Sequence, residues 1–224
     1  MTNQQPRRQV GADPAPGSAT GFRIAGPDRP TDAGVGTALE RNRAFAAAGA
    51  HEGATVFPDL RLFVIACLDP RTDPAHFLGL DLGDAMVIRN VGGRVTPELI
   101  DDVAFVAQLA EDVIPEGPLF EVAVIHHNQC GTGALADEAF RRRYAERIGA
   151  EESALLEHAV LDPAATVTRD VDLLRAAPAI PERVAVSGHV YDVLTGLVRT
   201  IVPAADRASR LGRGPSDLDS KGTP

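Results

Sequence analysis

The chain has no tryptophan, and aromatic residues are only 4% of its 224 positions. Any core must therefore be built from Ala, Val, Leu and Ile. Basic residues are in deficit: 22 Lys and Arg stand against 31 Asp and Glu, a net charge of −9. That balance, with no Lys/Arg block, excludes an electrostatic binder of nucleic acid. Long apolar stretches are missing too. A representative of the longest runs covers residues 62–68, far short of the roughly 20 residues needed to span a bilayer. The N-terminus, MTNQQPRRQV, shows no apolar segment of the secretory type, so a cytoplasmic enzyme without membrane attachment is the expectation. Cysteine is scarce. Cys67 and Cys130 alone cannot form a disulfide framework, and in a reducing compartment two such thiols are either small buried apolar groups or ligands and nucleophiles.

What remains is 44% apolar residues, enough for one packed domain. Residues 1–35 are rich in Pro and Gly without apolar periodicity and read as a flexible N-terminal extension. Residues 205–224 read as a polar C-terminal tail, which leaves 36–204 as the catalytic domain. Within it the pattern alternates. Residues 37–48 suit a helix. Residues 60–67 form a continuous apolar run suited to a strand buried on both faces. Residues 85–90 form a second strand that ends at Gly92-Gly93. Thr96-Pro97-Glu98 then opens a helix with a capping hydroxyl, a proline at the first position and an early acid, and Leu99, Val103, Val106 and Ala110 share one of its faces. Residues 120–126 form a third strand. Helices are expected at 134–148, 152–158 and 166–176, and the last strands at 183–191 and 197–202. This alternation predicts an α/β fold with a mostly parallel central sheet flanked by helices. In such sheets the chemistry gathers at the C-terminal ends of the strands.

Two strand ends carry reactive side chains. The first runs into Cys67-Leu68-Asp69-Pro70-Arg71, the third into His127-Asn128-Gln129-Cys130-Gly131. Two thiolates and one imidazole are the donor set of a zinc site that keeps one position open. His126 adjoins His127 but points to the opposite side of its strand and reads as a core or supporting group. His189 reads as a structural hydrogen-bond partner, and Tyr144 with residues 141–143 as a helix surface. Gly131-Thr132-Gly133 lacks the Lys and the spacing of a phosphate loop.

Cys67-x-Asp69-x-Arg71, Arg89-Asn90-Val91-Gly92-Gly93 and His127-x-x-Cys130-Gly131, in this order and spacing, resemble the β-class carbonic anhydrases over about residues 36–202. The resemblance implies that Cys67, His127 and Cys130 bind Zn²⁺, that Asp69 sits beside the open position, and that Arg71 holds Asp69 by a bidentate ion pair. It implies reversible hydration of CO₂ to bicarbonate by a hydroxide generated on zinc, with Asp69 and Arg71 as the catalytic pair, and a homodimer or higher homo-oligomer whose N-terminal helix packs across the partner. Some family members instead close the site by binding the Asp to zinc. Hydrolases of CS₂ or COS resemble the same family, and a weakly catalytic paralogue that binds bicarbonate through zinc is a further alternative. The sequence departs from the usual pattern at Pro70, where a small residue is common, and at Asn128-Gln129. Pro70 fixes the backbone between Asp69 and Arg71, so it either preorganises or misplaces the pair.

Overall fold

The computed structural model describes residues 34–205; the expected N-terminal extension up to residue 33 and the tail beyond 205 lie outside them. Five strands form one sheet: β1 (Leu62–Cys67), β2 (Ala85–Asn90), β3 (Glu121–His127), β4 (Ala185–Tyr191) and β5 (Val198–Ala205), in the order β2-β1-β3-β4-β5. The first four are parallel and β5 runs antiparallel to β4. The expected mostly parallel sheet is thus present. β5 starts one residue later than expected and runs three residues further, through Pro203, which an edge strand tolerates because one side has no ladder to feed.

The helices are α1 (Val35–Ala47), α2 (Pro74–Phe77), α3 (Pro97–Val113), α4 (Glu138–Ile148), α5 (Glu152–Glu157) and α6 (Pro163–Ala176). Helix α3 begins as its sequence predicts, with the Thr96 side chain accepting from Leu99 N–H and Pro97 in the first turn. Its buried stripe is Leu99, Val103, Ala107 and Ala110; Val106 is only half-buried. The single helix expected over 134–148 is instead a 3₁₀ turn, Gly131–Ala136, followed by α4. Asp137 divides them, since its extended backbone and its side-chain bond to Phe140 N–H start a new helix. Helix α6 begins earlier than expected because Asp162 caps it and Pro163 occupies its first turn.

One face of the sheet, carrying Phe63, Ile65, Val122, Val124 and Val186, packs against the stripes of α3 and α6 to form the main core. The opposite face carries Val64, Ala66, Ala123, Ile125 and Tyr191, and Phe77 of α2 stacks on Tyr191 with ring centroids 4.3 Å apart. Parallel register brings the ends of β1 and β3 side by side, with Ala66 opposite Ile125. No described helix is long and apolar enough to cross a membrane.

Candidate metal centre

Cys67 is the last residue of β1 and His127 the last of β3. The chain then turns at Gln129, whose φ of 52° is in the left-handed region, and this turn brings Cys130 back to the strand end. The ligand atoms of Cys67, His127 and Cys130 lie within 4.8 Å of one another, and all three residues are buried. Among the described residues this is the one group of three or more potential metal-binding side chains. The sulfurs are 3.9 Å apart. That is far beyond a disulfide bond of about 2.05 Å, but near the roughly 3.8 Å that follows from two sulfurs each 2.3 Å from a tetrahedral centre. His127 Nδ1 lies 2.8 Å from the Asn128 carbonyl oxygen. A carbonyl can only accept, so Nδ1 carries the proton and Nε2 is left with a lone pair. Nε2 is buried without a hydrogen-bond partner, an arrangement that costs free energy unless a ligand uses the lone pair. Two sulfurs and one such nitrogen fit Zn²⁺ in donor type and spacing. The hydrogen bond with Cys130, then burial, pushes the Cys67 thiol up, while the hydrogen bond from Cys67, joined by Thr132 and opposed by burial, draws the Cys130 thiol down.

Asp69 is buried beside this group. Arg71 gives its carboxylate three close donors: the main-chain N–H to Oδ1 at 2.9 Å, Nε to Oδ1 at 3.0 Å and Nη2 to Oδ2 at 2.7 Å. Nη2 also donates to the Gln129 carbonyl at 3.0 Å, so one guanidinium joins the loops after β1 and β3. Arg71's side chain and main-chain bonds hold the Asp69 carboxyl below the usual range, against the effect of burial. Pro70 does not misplace the pair. It sits second in a turn closed by Thr72 N–H donating to the Asp69 carbonyl at 2.9 Å, a position for which its fixed φ is suited. From β2, Arg89 donates to the carbonyls of Cys67 and Asp69 at 3.0 and 2.7 Å and pairs with Asp73.

The loop after β2 completes the wall. A Cβ on Gly93 would stand 2.8 Å from Cys67 N, and its φ is +65°, so only glycine fits against the end of β1. Behind it lies a buried ionic cluster. Asp170 of α6 takes Arg94 Nε and Nη2 at 2.8 and 3.0 Å, Val95 N–H at 3.2 Å and His126 Nε2 at 3.1 Å. Burial pushes the Asp170 carboxyl up, but the bonds from His126 and Arg94 outweigh it and the net shift is downward. His126 is fully buried and also reaches the Gly93 carbonyl at 3.2 Å, the supporting place its strand position suggests. His189 bonds to Ser187 and Thr200. Asn128 bridges to Asp192 and Val193 in the β4–β5 hairpin. Sequence reasoning missed Arg94, Asp170 and Thr132. Asp170 had a visible signal, since it interrupts the apolar stripe Val167, Val171 and Leu174 with an acid.

A family model described as carbonic anhydrase matches residues 62–198. Beta-carbonic anhydrase 1 of Mycobacterium tuberculosis is 27% identical over 146 residues, 65% of this chain and 85% of its own length. A carbon disulfide hydrolase of Acidianus sp. is 28% identical over 162 residues, 62% of this chain and 76% of that protein. Among solved structures, the carbonic anhydrase from Streptococcus mutans is 30% identical, covers 75% of this chain with 96% of its own, and superposes with a TM-score of 0.63. The matched stretch starts with β1 and ends at the first residue of β5, so what is shared is the sheet whose strand ends carry the cysteines, His127 and the Asp69–Arg71 pair: the chain belongs to the β-class carbonic anhydrase family.

Proposed function

We propose that the chain is a zinc-dependent carbonic anhydrase that interconverts CO₂ and bicarbonate, with Cys67, His127 and Cys130 holding the metal and Asp69 and Arg71 acting beside it. The observation that carries this reading is the buried set of two sulfurs and one unpartnered imidazole nitrogen next to a carboxylate clamped by arginine. Zinc bound there would supply an oxygen nucleophile from water near neutral pH. The chain supplies the rest. Asp69 Oδ1 takes two close donors from Arg71, whereas Oδ2 takes one at 2.7 Å and a second only at 3.3 Å. Each oxygen keeps lone-pair room beside these donors, so the carboxylate can accept the hydrogen of the nucleophile and aim the oxygen at the substrate carbon. Arg71 keeps Asp69 charged and oriented for this. Its grip on both carboxylate oxygens favours the arrangement in which Asp69 stays off the metal. Val160 shares one buried apolar cluster with both cysteines, surroundings suited to a substrate without a dipole.

The purified protein should contain about one zinc per chain. Cys67→Ser and Cys130→Ser should each lose it, because a hydroxyl is a poorer zinc ligand than a thiolate. Asp69→Asn should keep zinc and lose about a hundredfold or more in CO₂ hydration by stopped flow. Zinc-free protein after reconstitution, or full activity in Asp69→Asn, would defeat the assignment. A carbon disulfide hydrolase among the relatives makes CS₂ or COS the second substrate reading, which parallel assays separate. The intact Asp69–Arg71 pair across Pro70 counts against a weakly catalytic bicarbonate-binding paralogue. The assembly we propose is a homodimer or higher homo-oligomer, and the free thiols at the site suit a reducing cytoplasm.

A further inference from the structure

Thr132, in the 3₁₀ turn just beyond Cys130, is buried, and its hydroxyl lies between two partners. Thr132 Oγ1 is 3.1 Å from Val160 N and 3.2 Å from Cys130 Sγ. The main-chain N–H of Val160 can only donate, so Oγ1 accepts there and its own hydrogen is left for the sulfur. The other arm of the side chain is fixed as well. A Cβ on Gly92 would stand 3.2 Å from Thr132 Cγ2, so the bare Gly92 leaves room for that methyl and little more. Methyl against Gly92 and oxygen against Val160 together select one rotamer, and that rotamer sets the oxygen within reach of Cys130 Sγ.

The geometry points to Thr132 as a positioning residue for the metal centre, its hydroxyl donating to the Cys130 sulfur and so fixing that sulfur's direction and drawing off part of its negative charge. The inference rests on the reading of Cys67, His127 and Cys130 as zinc ligands, and adds a residue that touches neither metal nor substrate. Outer partners of this kind orient a ligand and set how strongly it donates, and their loss typically costs about 10- to 100-fold in metal affinity.

Thr132→Val keeps the methyl and the volume and removes the O–H; Thr132→Ser keeps the O–H. Chelator competition on the full chain should show zinc binding weakened about 10-fold or more in Thr132→Val, and within about threefold of the parent in Thr132→Ser. With cobalt in place of zinc, the sulfur-to-metal charge-transfer band should move to longer wavelength in Thr132→Val, because a sulfur without its hydrogen bond gives up an electron more easily. It should return in Thr132→Ser. If Thr132→Val only lowers the melting temperature of the metal-free protein, with zinc affinity and band unchanged, Thr132 serves the Val160 loop alone and the inference is overturned. Should Thr132→Val not fold, the unmutated protein loaded with cadmium-113 decides. A slowly exchanging Thr132 hydroxyl proton coupled to the metal is expected, and one in fast exchange with solvent overturns the inference. CO₂ hydration by the unmutated protein, run alongside, keeps the two readings apart. Tight zinc binding without hydration defeats the proposed activity and leaves Thr132 in place, whereas active enzyme with an unaffected Thr132→Val defeats only the role of Thr132. A parent chain that binds no zinc defeats both.

Discussion

Asp69 shows how much one side chain depends on its immediate neighbours. Its carboxylate is buried, while the Arg71 side chain that holds it is 42% exposed, so the pair is half in water and modest in energy. Its worth to stability should be on the order of 1 kcal/mol or less. The sign of its pH dependence follows from the direction of the shift. Arg71 holds the folded carboxyl below the ordinary value of about 3.9, so between the folded and unfolded values the unfolded chain binds more protons. The contribution is complete above about pH 5, about one unit over the unfolded value, and is lost as pH falls through the lower folded value. Urea unfolding of the parent and of Asp69→Asn between pH 3 and 7 should show a gap that is constant above about pH 5 and closes toward acid. A gap unchanged at pH 3 would remove the ion pair as its cause. The same shift keeps Asp69 ionised at neutral pH, as the part proposed for it in catalysis requires. Pro70, the residue whose effect the sequence leaves open, settles into the turn that aligns the pair, because a fixed φ is what the second position of that turn uses.

Between elements, the proposed metal ligands are aligned by contacts that none of them makes itself. The carboxylate of Asp170 joins α6 to the loop after β2 and to β3 through Arg94, Val95 and His126. Both charged partners are almost wholly buried, so removing one leaves the other without compensation. Asp170→Ala should therefore cost about 3–5 kcal/mol, read as a lower denaturation midpoint in the metal-free protein; a loss under about 1 kcal/mol would mean that water replaces the carboxylate. This cluster also marks where the sequence stops being informative. Strands β1 and β3 were legible because unbroken runs of Val, Ile and Leu suit burial on both faces, and the strand ends then located Cys67, His127 and Cys130. Helix α3 was legible from Thr96 and Pro97. By contrast, Arg94 and Asp170 are 76 residues apart, and no local pattern pairs them. The break before α4 was missed because residues 134–148 contain no Gly or Pro, and only the capping bond that Asp137 accepts from Phe140 N–H decides against one continuous helix.

For the molecule as a whole, α1 has no counterpart in the main core. None of its thirteen residues is buried, and Val35, Leu39 and Phe45 are 74, 50 and 40% exposed. A helix of this length is marginal in water without packing on one of its faces. Soluble proteins leave single apolar side chains exposed without consequence, but a helix whose apolar residues are all exposed among the described residues is a candidate contact surface. A second copy of the chain is the occupant the family resemblance implies, and the homo-oligomer proposed above would give α1 that packing. Light scattering coupled to size exclusion, at protein concentrations of tens of micromolar or below, should return a multiple of the 23.6 kDa chain mass. Placing a charge at the two central positions tests the surface directly: Leu39→Asp with Phe45→Asp should lower the assembly order, because a carboxylate sealed into an apolar contact without a partner costs several kcal/mol. Neither residue lies in the sheet that carries the proposed metal ligands. The double variant should therefore keep its zinc and its strand content, and this separates lost assembly from lost folding. A parent chain that elutes as a monomer throughout, or a double variant that assembles unchanged, would show that α1 is not the contact.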